Sequence, residues 1–213
     1  MEKNKYDVGL EKNDMEKVAS SGMDFTEETR SASFLQQDDE VLISRSLAEG
    51  VDIISVEEAL EKYPDVRKLY GKAFRMVDKD FPEDTKGGYF IRIREGTTVE
   101  MPIQSCLFLK AMAHKQKVHN LIIVEEGASA YIITGCSASK AASESFHLGI
   151  SEFFVEKGGY LNFTMIHSWK EDVSVKPMSV ALVEEGGSFI FNYVCVRPVR
   201  EIVMYPTALL LGH

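Results

Sequence analysis

From Gly87 onwards the chain alternates short runs of Val, Ile, Phe and Tyr with charged, glycine-ended tetrads. That is the pattern of short strands separated by tight turns. The tetrads recur as Ile93-Arg94-Glu95-Gly96, Val124-Glu125-Glu126-Gly127, Val155-Glu156-Lys157-Gly158 and Val183-Glu184-Glu185-Gly186, at glycine intervals of 31, 31 and 28 residues. One strand–turn–strand unit cannot bury its own apolar face, whereas stacked units can. Near-equal spacing keeps equivalent residues in register, so the pattern predicts a parallel β-helix over 87–213. A β-sandwich of hairpins is the alternative.

Counting from each glycine gives the register. The third position holds Val99, Ala130, Leu161 and Phe189, the fifth Met101, Ile132, Phe163 and Phe191, and the seventh Ile103, Thr134, Met165 and Tyr193. Side chains alternate between the faces of a strand, so this odd set is predicted to point inward. The ninth position holds Ser105, Cys136, His167 and Cys195. Stacked in register, Cys136, His167 and Cys195 lie about one strand spacing (~4.8 Å) apart. Thiolate and imidazole are ligands of zinc and iron–sulphur sites. The alternative is that the cysteines pack as small hydrophobes. Cys106 is one position out of phase and is expected to face outward. His119 and His147 precede the turns and are expected to be hydrogen-bonded or exposed rather than ligating.

Before the repeat the periodicity changes. Residues 1–40 read as an acidic, loosely attached arm, with Met15, Val18 and Met23 on one side of a short helix interrupted at Ser20-Ser21-Gly22. Residues 41–86 read as a small α/β segment. It opens with strands at Val41–Ser44 and Val51–Ile54, and Ser55 with Glu58 then forms a capping box. Pro64 breaks the first helix and opens a second, whose stripe is Val66, Leu69, Tyr70, Ala73, Phe74 and Val77. The 137–145 stretch reads as a helix or a loop.

Charge narrows the partners. In 213 residues, 33 Asp and Glu against 24 Lys and Arg give a net charge of −9, which argues against a surface built for nucleic acid. Three cysteines with no CxxC pair make no disulfide framework and suit a reducing compartment. No apolar run reaches the roughly 20 residues of a membrane helix, and the charged start has no secretory h-region. The expectation is a cytoplasmic protein with no membrane and no nucleic-acid partner. GxxxxGK[ST], HExxH and GxSxG are absent, so no enzymatic activity is expected. Carbohydrate cleavage on a β-helix is the weaker alternative.

Several segments carry a family resemblance. TGCSASKAASESFHLGISEFFVEKG (134–158), TMIHSWKEDV (164–173) and YPTALLLG (205–212) resemble the SufB/SufD family of iron–sulphur cluster assembly proteins. ISVEEALEKYPDVRKLYGK (54–72) is similar to the helical segment before that family's β-helix. The match covers roughly 34–213 and looks closest to a short archaeal SufD-like branch. It implies a mainly β fold: a right-handed parallel β-helix preceded by a small α-helical/β N-terminal segment. It also implies a scaffold or accessory subunit of a SUF-type complex handling a transient Fe–S cluster, beside a SufC-like ATPase and a second SufB/SufD-type chain. A purely structural docking subunit without a cluster is the other reading.

Residue by residue, the resemblance aligns Cys136 with the cysteine of the family's EGC-type motif. His167 and Trp169 fall in its Q-x-W motif, with His in place of Gln. His147 matches its L-H element, with Phe146 in place of Leu. Family members continue through further coils into a helical domain that contacts SufC, whereas this sequence stops at Leu211-Gly212-His213. The expectation is therefore a C-terminally short chain, natural or cut, lacking that contact. Its uncapped last coil is expected to be covered by a second copy in a homodimer.

Overall fold

All four turn glycines adopt the left-handed backbone state, with φ of 66, 64, 66 and 69° at Gly96, Gly127, Gly158 and Gly186. A side chain would strain that conformation, which explains why each tetrad ends in glycine. Successive corners are tied together: the N–H of Gly96 donates to Glu126 O, that of Gly127 to Lys157 O and that of Gly158 to Glu185 O, each at 2.9 Å. These features come from a computed structural model that describes residues 8–26 and 28–212. The beginning of the expected acidic arm and His213 lie outside the described residues.

The elements run α1 (Lys12–Ser20), β1 (Ala32–Gln37), β2 (Glu40–Ser46), β3 (Val51–Ser55), α2 (Val56–Lys62), α3 (Pro64–Leu69) and α4 (Lys72–Met76). Strands β4 (Tyr89–Ile93), β5 (Ile103–Leu109), β6 (Lys115–Val124), β7 (Ser129–Ala138), β8 (Phe146–Val155) and β9 (Tyr160–Ser168) follow. The chain continues with β10 (Ser174–Val183), β11 (Ser188–Cys195), β12 (Glu201–Ile202) and β13 (Thr207–Leu210). One sheet has the order β11-β9-β7-β5-β1-β2 and the other β12-β10-β8-β6-β4-β3, with β13 also paired to β10. Pairing is parallel apart from β1 with β2 and β3 with β4. Each coil therefore alternates between the sheets, through a tight glycine corner one way and a wider loop back. The protein is a parallel β-helix with a small helix-and-strand segment before it.

The odd positions line the interior, as the alternation predicts, except Met101, which is exposed because it falls in a two-residue register slip before β5. Ala130, Ile132, Leu161 and Phe163 are buried in one core. Phe153 from the opposite sheet packs against Phe163 and Phe189 with ring centroids 4.8 and 4.9 Å apart. Two smaller apolar clusters lie outside the coil. The helices α2–α4 cover one sheet through Ala59, Val66, Ala73 and Phe74. Val18, Met23 and Leu35 cover the other around Cys106 and Phe108.

Ser55 caps α2 by accepting the Glu58 N–H at 3.2 Å, and Pro64 opens α3. The single second helix expected from 64 to 77 is instead broken at Tyr70–Gly71. Gly71 turns the chain there with a left-handed φ of 72°, and Glu152, fully buried on the sheet below, takes up the freed N–H groups of Gly71 (2.5 Å) and Ala73 (2.7 Å) and faces His119 Nε2 at 2.8 Å. The described part of the arm is docked rather than loose. α1 packs on the outer face of the first sheet, and β1 is a strand of that sheet. The 139–145 stretch is a loop.

Candidate functional site

Parallel pairing converts the sequence spacing into stacking. Cys136 is the direct neighbour of His167 on β9, and His167 that of Cys195 on β11. All three share one sheet and one face. The expected first member, Ser105, does not join them: it pairs with Thr134, and Leu107 stands beside Cys136. Two extra residues around Met101-Pro102, before β5, displace the register, and the following corner is shorter by the same amount. The glycine interval of 31 conceals this slip.

Cys136 and His167 are buried, whereas Cys195 is exposed. Cys195 Sγ donates to the Arg197 carbonyl at 3.1 Å. Burial raises the Cys136 pKa well above the ordinary thiol value, so in the closed interior it is a neutral thiol. His167 Nδ1 shares a 2.7 Å hydrogen bond with the Tyr193 hydroxyl, and its Nε2 is buried without a partner. Burial, reinforced by His147, holds the His167 pKa well below the usual imidazole value.

His147 projects into the same space from the opposite sheet. It is buried and hydrogen-bonded rather than exposed: Nδ1 donates to Gln116 Oε1 at 2.8 Å, and desolvation depresses its pKa to about 3. Trp169 flanks both imidazoles, its ring centroid 4.9 Å from His147 and 5.6 Å from His167. Its indole N–H is also buried and unpartnered. The site is a stacked row of thiol and imidazole groups with an aromatic wall. Among the described residues, no three His, Cys, Asp or Glu side chains converge closely enough to hold a metal ion.

Two members were not singled out from sequence. Tyr193 occupies the inward seventh position, but its bond to His167 depends on side-chain direction. Gln116 precedes His147 by one repeat and pairs with it across β6 and β8, so the period itself held that signal. Cys106 does point out of the coil, yet it is fully buried because α1 lies over it, with Ser21 Oγ 3.8 Å from its sulphur.

Residues 108–197 match the family model described as SUF system FeS cluster assembly, SufBD core domain. An iron-sulfur cluster assembly SufBD family protein of Archaeoglobus fulgidus is 42% identical over 199 residues, 92% of this chain and 53% of the relative. One from Methanothermobacter thermautotrophicus is 35% identical over 201 residues, 90% of this chain and 49% of the relative. Iron-sulfur cluster assembly protein SufB of Bacillus subtilis is 31% identical over 172 residues, 78% of this chain and 37% of the relative. The chain spans about half the length of the two archaeal relatives. Cys136, His147, His167, Trp169 and Cys195 all fall inside the matched core.

Proposed function

The chain belongs to the SufBD family of iron–sulphur cluster assembly proteins, and from that premise we propose that it is a non-enzymatic scaffold of a SUF-type complex with a transient Fe–S cluster as cargo. The observation that carries this reading is the register setting Cys136, His167 and Cys195 on adjacent strands within the family core. Thiolate sulphur is the usual protein ligand of such clusters, and imidazole replaces it at some irons. Cys136 is the assigned cluster ligand or sulphur acceptor, with His167 and Cys195 as its neighbours. As a ligand, Cys136 surrenders its proton to solvent on binding iron. That loading step opens the packed interior, and the exposed Cys195 marks the side from which cargo enters.

The proposed direct partner is a second SufB/SufD-type chain, for which a second copy of this chain is the simplest candidate; a SufC-like ATPase belongs to the same proposed complex without the helical-domain contact. Light scattering at micromolar protein tests the homodimer, and a clean monomer overturns it.

Anaerobic reconstitution with iron(II) and sulphide tests the scaffold assignment. The wild-type chain should develop a visible chromophore that Cys136→Ala loses, with Cys136→Ser as the control for shape. Equal iron in both chains overturns the role of Cys136. A second reading, a docking subunit that holds no cluster, is favoured by the burial of Cys136 and by the lack of three converging ligands among the described residues. It predicts no chromophore in any variant.

A further inference from the structure

Positive charge gathers at the wide corners of the coil, in a chain whose net charge is −9. Lys17 lies in the last turn of α1, Lys140 and Lys170 in successive wide corners, and Arg197 just after β11. Two hollows open there. One, of about 550 Å³, is lined by Trp169, Lys170, Glu171, Asp172, Arg197 and Pro198. The other, of about 270 Å³, has Lys17, Lys110 and Lys140 on its wall, with Glu11 and Asp14. Lys170 joins the two, its Nζ donating to the Lys140 carbonyl at 2.8 Å and to Ser143 Oγ at 3.1 Å.

Carboxylates neutralise only part of this charge. Asp172 faces Lys170 at 3.7 Å and Asp14 faces Lys110 at 3.4 Å. Among the described residues, no carboxylate stands within ion-pair distance of Lys17, Lys140 or Arg197. Burial and the like charges of Arg197, Lys140 and Lys170 hold the Lys17 pKa below the usual ammonium value. The larger hollow balances Lys170 and Arg197 against Glu171 and Asp172, and the smaller sets Lys17, Lys110 and Lys140 against Glu11 and Asp14, so the excess positive charge lies on the Lys17–Lys140 side. Trp169 itself lines the larger hollow, and its buried indole N–H has no partner among the described residues.

We propose that this corner binds a small multivalent oxyanion of the phosphate, sulphate or thiosulphate class, held by Lys17, Lys140, Lys170 and Arg197. A dianion would relieve the repulsion among these cations and accept charge-assisted hydrogen bonds from them. Its seat is two residues from Cys195, whose thiol already bonds the Arg197 carbonyl, so the occupant would sit beside the exposed end of the thiol–imidazole row. The site does not depend on the chain's handling of iron.

Isothermal titration of the full chain with sodium phosphate and sodium thiosulphate, at constant ionic strength in sodium chloride, tests this without iron. The expected result is saturable 1:1 binding by at least one of the two anions. Removing two cations in Lys17→Gln/Lys140→Gln should weaken it about tenfold. Lys68→Gln, an exposed change on α3, should leave it unaltered. Among the described residues neither lysine of the double variant has an ion pair to lose, and circular dichroism checks its fold. Should that variant misfold, Arg197→Gln gives the same reading. Heats no larger than those of chloride, or unchanged affinity in the folded variant, overturn the proposal. An acidic segment of a partner protein is the competing occupant and would give that negative result.

Discussion

His147 and His167 meet inside the coil from opposite sheets, their ring centroids 6.4 Å apart and their planes at 89°. Neither faces a carboxylate: one bonds the Gln116 amide and the other the Tyr193 hydroxyl. Among the described residues no carboxylate offsets the burial of either ring, and both stay neutral in the fold.

That neutrality sets a pH dependence. The unfolded chain protonates these imidazoles as the pH falls through about 6.5, whereas His147 in the fold waits until about 3. The folded pKa is depressed, so stability is full above the unfolded value and is lost as the pH falls through the window between them. Urea unfolding between pH 7 and pH 5 should lose about 1.4 kcal/mol per pH unit for each of His147 and His167 once below 6.5. His147→Gln should remove one imidazole's share of that slope. An unchanged slope would mean that His147 is hydrated and titrates normally.

The three thiols should separate kinetically. Cys195 is exposed, whereas burial pushes Cys106 up to about 12 and Cys136 well above its ordinary value. A thiol of pKa about 12 is only ~10⁻⁴ thiolate at pH 8. A chromogenic disulfide reagent should therefore find one fast equivalent in native protein and three in denaturant. Cys195→Ser should abolish the fast phase. A fast equivalent persisting in that variant contradicts the packing of Cys106 and Cys136.

Gly135 tests how the arm is fastened. A Cβ there would fall 2.4 Å from Ser21 O and 2.6 Å from Ser21 Oγ. Gly135→Ala should lift the end of α1 at an overpacking cost of about 1–3 kcal/mol. Cys106 should then become labelled while Cys136 stays slow, and trypsin should cut at Lys12 and Lys17 sooner, as read by mass spectrometry. Unaltered labelling would show that the arm yields without leaving the sheet.

The coil and the thiol–imidazole row were legible in sequence because no residue is inserted between Gly127, Gly158 or Gly186 and its ninth follower, and strand alternation does the rest. Ser105 was misplaced because a compensated slip leaves the glycine interval intact. The break at Gly71 rests on a glycine visible in the sequence, but the Glu152 carboxylate that receives its freed N–H groups lies some eighty residues away. β1 was missed because Ala-Ser-Phe-Leu-Gln-Gln carries little alternation and becomes a strand only by pairing with β5. The meeting of His147 with His167 depends on the gap between two sheets, which no one-dimensional count contains.

The two kinds of corner divide the labour between constancy and change. From β9 to β11 the pairing follows the glycines unbroken, so the three residues missing from the last interval are taken out of the 169–173 bend, which is shorter than 139–145. The slip at Met101-Pro102 is likewise made good at the 110–114 bend. From Gly127 onwards one flank of the molecule thus serves as a ruler and the other as slack. Segments lengthened, trimmed or grafted on the slack flank can diversify what the protein meets while Cys136 keeps its place beside His167.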